Sequence, residues 1–369
     1  MALEIRLLRE EEYKAVVDFY NTSKGVNHKI QRDKRTYEAF EWEFFNGPYG
    51  KAIYVVAIDT DYKDELKLVG IQCAIPIVMH NSKGEKFYTA KPEDTYIDIR
   101  SQIKFKKRDI LKEMFDLLEI ECAKMDIKFF WGFTDAVSSF KRMGFESPFS
   151  SSYGLMVLKP FTAYKYLASK NINNKKIEKI KIFILCLLSM IYGWKRMFVF
   201  GKLNNIKQSS NKQSNVSLYY KATQNEICIM QTDEYIKWRI EDNPSGISYK
   251  IIQFNNENNE LIGEIIYSFA KDIFYIDQIM IDKTLTAKDK ISMIQSTIKE
   301  IINSHDVSII RFAGFKHNDI NKAEIGFLKK LGFVFINKGI NFVIKKLGNY
   351  ELNHNSIFLS RLYTQGITY

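Results

Sequence analysis

The chain has 369 residues, 46% hydrophobic and 26% charged, a balance that suits a globular protein long enough for two separate cores. Four widely spaced cysteines and five histidines, with no Cys-x-x-Cys or His-x-x-x-His spacing, argue against a disulfide framework and against a metal site. A formal charge of +11 favours anionic partners (a phosphorylated cofactor, a nucleic acid or an anionic membrane), although a lysine-solvated surface gives the same number.

The opening MALEIRLLREEE is charged and amphipathic, unlike a secretory signal, so a cytoplasmic protein is expected. Residues 4–7 alternate as a strand. Tyr13, Val16, Val17 and Tyr20 recur at helical spacing and predict a helix over 9–21. A second helix is predicted over 36–45, stopped by the breaker Asn46-Gly47-Pro48. Strands are expected at 52–58 and 67–79, a hairpin turn at 81–84, and further strands from Lys86 and over 95–99. A strongly amphipathic helix over 109–125 is followed by a strand over 128–133. A short helix then ends at Gly144, a natural left-handed cap, and a strand over 153–159 closes the first half.

The second half repeats this order: a helix over 233–240, strands over 249–254, 261–270 and 273–281, and a helix over 287–303. A strand over 307–312, a helix over 324–331 and a strand over 333–344 complete it. Matched points recur along the way. Trp42 and Pro48 match Trp238 and Pro244, Leu-Val-Gly70 matches Leu-Ile-Gly263, and Met-Gly-Phe145 matches Leu-Gly-Phe333. Tyr-Ile-Asp98 is paired with Tyr-Ile-Asp277. The offsets of 179 to 196 residues imply one domain used twice, not a short-period solenoid. The division expected is 1–165, a connector over 166–215, and 216–369. Each half would be an α/β (α+β) unit, a mixed sheet with helices on both faces.

Between the copies, residues 182–194 form an apolar run flanked by Lys175, Lys176, Lys179, Lys181, Lys195 and Arg196, with Met197–Phe200 beyond. It is short for a span, which takes about 20 residues. A buried inter-domain helix, a peripheral membrane contact through 182–200 and an oligomer interface all fit. Residues 208–215 read as a flexible polar linker.

The order of elements, together with the runs WGFTDAVSSFKRMGF over 131–145 and AGFKHNDINKAEIGFLKKLGF over 313–333, resembles the GNAT superfamily of acyl-CoA N-acyltransferases in a tandem form. The resemblance implies acetyl-CoA, or another acyl-CoA, held by backbone amides at the start of the long helix. Here that place holds Lys106, Lys107, Arg108, Asp109 and Ile110, with Ile99 at the end of the preceding strand. The family's glycines are missing, so the basic side chains would grip the phosphates or a bulky loop would fill the site. The second copy has no glycine there and is read as cofactor-free.

The resemblance also implies a carboxylate base near the fourth strand, for which Asp98 is the candidate, Glu93 and Asp94 are alternates, and a structural cap is the plain alternative. The tyrosine acid of many relatives is replaced by Phe140 and Leu328, leaving Tyr96 and Tyr153 as substitutes. Trp42, Phe45 and Tyr49 are candidates for an aromatic wall of the acceptor cleft, or for core. The expected acceptor is an amine of a small molecule, amino sugar or peptide. The alternatives are a Fem-type transferase using aminoacyl-tRNA, the only reading with a nucleic-acid partner, and a non-catalytic binding protein.

Overall fold

The computed structural model describes residues 2–23, 34–62, 66–170, 176–197, 203, 205–211, 213–270, 272–336 and 339–363. Their strands are β1 Leu3–Leu7, β2 Ile53–Asp59, β3 Leu68–His80, β4 Lys86–Ile97, β5 Phe129–Thr134, β6 Ser152–Val157, β7 Lys207–Asn211, β8 Cys228–Ile229, β9 Ser248–Asn255, β10 Leu261–Ala270, β11 Ile273–Ile281, β12 Ile309–Gly314, β13 Val334–Ile336 and β14 Asn341–Lys346. The helices are α1 Tyr13–Thr22, α2 Tyr37–Phe44, α3 Ile99–Lys104, α4 Ile110–Lys124, α5 Val137–Arg142, α6 Pro160–Lys170, α7 Lys176–Met197, α8 Val216–Thr223, α9 Asp233–Ile236, α10 Ala287–Ser304 and α11 Asp319–Lys330.

Two seven-stranded sheets result. One runs β1-β2-β3-β4-β5-β14 with β8 beside β3, and the other runs β13-β6-β12-β11-β10-β9-β7. In each, the long helix lies across the middle of the sheet, and a glycine in the strand beneath makes room for it. A Cβ on Gly70 would sit 3.2 Å from Met114 Cε of α4, and one on Gly263 would sit 3.0 Å from Met293 Sδ of α10. The repeated Leu-Val-Gly and Leu-Ile-Gly are therefore packing positions. Gly144 and Gly332, at φ +85° and +100°, end α5 and α11 in the left-handed region that favours glycine.

The halves are interlocked rather than sequential. The strand expected to close the first sheet, β6, pairs with β12 (Ile309↔Val157 to Gly314↔Ser152) in the second. The single strand expected over 333–344 is two strands: β13 joins β6, while β14 crosses to β5 (Asn341↔Thr134 to Lys346↔Phe129). The two paths cross where Ser151 N donates to Ile340 O and Gly339 N donates to Ser151 O. A Cβ on Gly339 would meet Ser151 O at 2.2 Å, so only glycine fits there. Alternation records that a segment is a strand, not which sheet receives it. The division at 165 accordingly cuts through an exchanged pair.

Two smaller expectations change. Residues 95–97 end the long β4, and Ile99 opens α3 instead of closing a strand. The polar stretch from 208 begins as an edge strand, β7, on β9 (Lys207↔Asn255 to Asn211↔Ile251). In the connector, Lys175 and Phe198–Phe200 lie outside the described residues.

The seam between the halves is a core in its own right, where Met79, Phe129 and Trp131 pack with Tyr219, Trp238, Phe358 and Tyr363. At its edge the repeated tryptophans meet face to face. Trp42 and Trp238 stack at 5.0 Å, and each indole N–H donates to the other's carbonyl at 2.9 Å. This reciprocal contact marks the pseudo-twofold relation between the copies. The four cysteines are all buried and unbridged.

Candidate functional site

β4 and β5 run parallel but pair only at Ala90↔Phe130, after which β4 leaves its neighbour. Just beyond, the ladder between β3 and β4 shifts register between Ile71 and Cys73, a bulge on the strand that borders the split. Asp94 sits there with φ +50°. Gln72 Nε2 donates to the carbonyl of Glu93 at 3.1 Å, capping a group the bulge takes out of the ladder.

Around the bulge lies a cluster of ionisable side chains. Asp94 pairs with Arg35 and accepts from Tyr54 Oη at 2.7 Å. Arg35 also reaches Glu43 at 3.4 Å and is held between the rings of Tyr20 and Phe44. Burial alone would weaken the Arg35 proton, but Asp94 and Glu43 outweigh it and hold the guanidinium charged. Burial lifts the Glu43 carboxyl to about 7 against the pull of Arg35. Burial also raises Glu93, opposed by its ion pair with the buried Lys91. Of these residues, sequence reasoning singled out Glu93 and Asp94. It missed Arg35, Glu43, Tyr54 and Lys91, because Arg35 and Glu43 arrive from the α2 region and carry no local pattern that points to β4.

Asp98 has another part. Its carboxylate accepts from the amides of Arg100 (3.0 Å) and Ser101 (3.2 Å), capping α3. It lines a cavity of about 620 Å³ with Asp18, Phe19, Asp59, Ser101 and Lys104. The pairing of Asp98 with Asp277 is also corrected. Ile97 and Ile281 both lie opposite the sheet glycine (Gly70, Gly263), so Asp98 corresponds to Asp282 and Glu93 to Asp277. Asp282 likewise caps a turn, accepting from Thr284 N at 2.9 Å. Burial works against its charge, but Lys221 and Thr284 hold its carboxyl down at about 2.

The predicted cofactor loop does form a cavity, about 550 Å³ in volume, at the amino-terminal end of α4. Lys106, Lys107, Arg108, Asp109 and Ile110 line it with Arg142 of α5, whereas Ile99 does not. Phe105 is buried and anchors the turn, leaving Lys106 and Lys107 exposed. Arg108 is committed elsewhere: it pairs with Glu113 and donates to Leu3 O at 2.8 Å. Asp109 caps the helix at Lys112 N (3.2 Å) and sits 3.5 Å from Arg142. The first-turn amides of a 15-residue helix and a set of cations thus face one space, a natural anion site.

The second half treats the same strand differently. β11 carries a bulge between the pairs of Ile266 and Tyr267, and Asp277 falls in it. Arg361, on the carboxy-terminal tail, pairs with Asp277, donates to Ser268 Oγ at 3.3 Å and lies 4.0 Å over the Tyr275 ring. Burial raises the Asp277 carboxyl while Arg361 pulls it back. Ile357, Phe358, Leu359, Leu362 and Tyr363 of the tail are buried in the seam core.

The aromatic candidates belong to packing. Trp42 stacks on Trp238, Phe45 stacks on Tyr13 at 4.1 Å, and Tyr49 donates to Met230 O and stacks on Tyr235. None lines the cavities above. Tyr153, read as a substitute acid, lies on β6 in the second sheet, 5.3 Å from the Arg311 guanidinium. Phe140 and Leu328 are core residues. Among the described residues, no three His, Cys, Asp or Glu side chains gather as a metal site.

Solved structures with this arrangement settle the fold. A probable N-acyltransferase from Enterococcus faecalis V583 superposes with TM-score 0.61 at 10% identity, covering 94% of this chain and 73% of that one. A GCN5-related N-acetyltransferase from Anabaena variabilis gives 0.60 at 8%, with coverage of 94% and 73%. A tandem GNAT protein from the clavulanic acid biosynthesis pathway gives 0.55 at 9%, covering 95% of this chain and all of that one. The chain has the tandem GNAT fold. Saccharomyces cerevisiae N-myristoyltransferase, solved with bound myristoyl-CoA, is similar at TM-score 0.56 and 11% identity. No protein-family model matches the chain, and no curated protein matches it in sequence. The similarity to GNAT proteins therefore resides in the backbone, and the two sheets of this GNAT fold differ in how each borders its split.

Proposed function

We propose that the chain is an acyl-CoA-dependent N-acyltransferase whose chemistry resides in the amino-terminal half. The observation that supports this best is the convergence of two features on β4. The basic cavity reaches the strand at Ile97, and the ionisable cluster occupies it at Glu93 and Asp94. Across the bulge, Ile97 and Glu93 lie opposite Gly70 and Cys73, three residues of β3 apart, roughly 10 Å at the usual rise. An extended cofactor with anionic groups at one end and a reactive group at the other fits that separation.

Lys106, Lys107 and Arg142 suit the phosphates of an acyl-CoA, with the amides of Ile110 and Leu111 at the start of α4 beside them. Bound there, it would supply an acyl group activated as a thioester. The protein's own task is to present a neutral amine. Glu43 at about 7, and Glu93 raised by burial, are the carboxylates able to accept an amine proton near neutral pH. Asp94, fixed by Arg35 and Tyr54, holds the bulge and sets the charge felt by both. The acceptor is an amine of a small molecule, amino sugar or peptide.

The test is calorimetric titration with acetyl-CoA and longer acyl-CoAs, followed by transfer assays on an amine panel. Saturable binding should weaken about tenfold or more in Lys106→Ala/Lys107→Ala, a loss of about 1.4 kcal/mol or more. Glu43→Gln should lower kcat on the order of 100-fold and remove a rate limb near pH 7. Neither heat nor a thermal shift with any acyl-CoA at millimolar concentration would overturn the proposal.

A further inference from the structure

α7 is apolar on two faces, and only one of them is packed. Its inner stripe (Cys186, Ser189, Gly193 and Met197) is buried, with Cys186 in a cluster that includes Leu155 and Val157 of β6. The small residues let the helix lie close. A Cβ on Gly332 would be 2.7 Å from Gly193 Cα, so the two glycines mark a near-contact of backbones. On the opposite side Ile180, Ile184, Leu188 and Ile191 recur at spacings of four, four and three residues, a single row along the helix. Their exposures are 59, 49, 60 and 60%, and Trp194 and Phe161 of α6 extend the row at 53 and 67%. Solvent-facing residues of an amphipathic helix are ordinarily polar, so this row is out of place on a surface facing only water.

The charges beside the row carry one sign. From 179 to 197 the charged residues of α7 are Lys179, Lys181, Lys195 and Arg196, and over 161–168 α6 contributes Lys165. No acidic residue occurs in either stretch; Glu178, two residues before the row begins, is the one acid in the sequence of α7. Lys165, Lys181, Lys195 and Arg196 are exposed. Both ends of the row are thus basic, on a chain of net charge +11. A second copy docked on this face in either direction would set cations against cations, which disfavours a symmetric pair. A helix with an apolar row, aromatic residues at its margin and basic flanks suits an anionic lipid surface, lying in the plane of the headgroups. Among the described residues no helix is long and apolar enough to cross a membrane, which leaves surface seating as the geometry.

We propose that the outer face of α7, with Phe161 of α6, docks the protein on anionic lipid bilayers. This stands apart from the acyl transfer proposed above, and its test uses no acyl-CoA, so either can fail alone. The test is flotation of the full chain with vesicles of phosphatidylcholine alone and of phosphatidylcholine with about 30% phosphatidylglycerol. Wild type should float with the mixed vesicles and detach as salt rises from about 0.1 to 0.5 M. Ile184→Asp/Leu188→Asp, at exposed positions, should keep its melting temperature and lose at least tenfold in bound fraction. Lys181→Glu/Lys195→Glu should lose binding to the mixed vesicles while the apolar row stays intact. Wild type left in solution with both vesicle types would overturn the proposal, as would equal flotation of the aspartate variant. So would a wild-type dimer that the aspartate variant dissociates while neither binds vesicles, which would identify the face as an interface between copies.

Discussion

The two halves meet the same structural problem and answer it differently. Each has a bulge on the strand beside its split, and each places an aspartate in or next to that bulge against an arginine from outside the sheet. In the amino-terminal half the arginine is Arg35, ahead of α2, and it leaves Glu43 and Glu93 nearby with raised proton affinities. In the carboxy-terminal half it is Arg361, on a tail whose Phe358, Leu359, Leu362 and Tyr363 pack into the seam core. The amino-terminal bulge has two further carboxylates, Glu43 and Glu93, beside its aspartate–arginine pair. The other copy has turned the same strand into interior. Duplication preserved the backbone and left each copy free to spend its bulge differently, because the backbone pairing does not depend on which arginine neutralises the carboxylate.

Removing each arginine tests that contrast most strongly. Arg35→Leu and Arg361→Leu each strand a buried carboxylate, and each should cost about 3–5 kcal/mol in chemical denaturation. Adding Asp277→Leu to Arg361→Leu should restore most of the stability and leave acyl transfer intact. Adding Asp94→Leu to Arg35→Leu should restore part of the stability, since Glu43 still lacks its cation, but not transfer. If the carboxy-terminal pair abolished transfer and the amino-terminal pair spared it, the roles of the halves would be reversed.

A smaller effect is expected from pH. Burial raises Glu43 to about 7 and Glu324, which is fully enclosed and bonded to Asn321, to about 8, both above the ordinary 4.5. A carboxyl that holds its proton more tightly when folded stabilises the fold most below 4.5. That contribution is lost as pH rises through the folded value. Stability should therefore decline from about pH 4.5 to 8, by an amount on the order of 1–3 kcal/mol for each group. Glu43→Gln should remove the part lost between about 4.5 and 7, and Glu324→Gln the part lost between about 4.5 and 8, in thermal melts across that range. Only the first should alter the pH dependence of transfer.

The smallest effect concerns the contact that joins the copies. Trp42→Phe keeps a ring but leaves the Trp238 carbonyl without its donor, at about 1–2 kcal/mol. Trp238→Phe should cost a similar amount. The double variant should cost less than the sum by about 1 kcal/mol, since stacking and bonding are shared. Strict additivity would show the two rings to be independent.

Much of the fold could be read locally. The strands around Gly70 and Gly263, the amphipathic α4 and α10, and the cap at Gly144 follow from periodicity and from glycine's freedom. The recurrence of Trp-x5-Pro and Gly-Phe disclosed the duplication. The loop at Lys106–Asp109, expected to meet the cofactor's phosphates, lines a cavity at the start of α4, and that helix start announces itself in sequence. The carboxylates were harder. Asp98 looked suited to chemistry as part of a strand over 95–99, yet the strand stops at Ile97 and leaves it as a cap, and Asp98 and Asp282 both use their oxygens on backbone amides.

What the chain's order of residues determined by itself is that two like units exist, where their strands and helices lie, and which helix start gathers cations. Those properties depend on neighbours three to seven residues apart. Only the tertiary structure decided that β6 and β14 trade sheets, that Trp42 is spent on Trp238, and that Arg35 and Arg361 reach their aspartates. Each of these joins groups 59 to 217 residues apart, from Arg35 with Asp94 to Lys346 with Phe129. No local pattern encodes such a partner, because either sheet edge would satisfy a strand's backbone. The choice is made by which arrangement buries the seam.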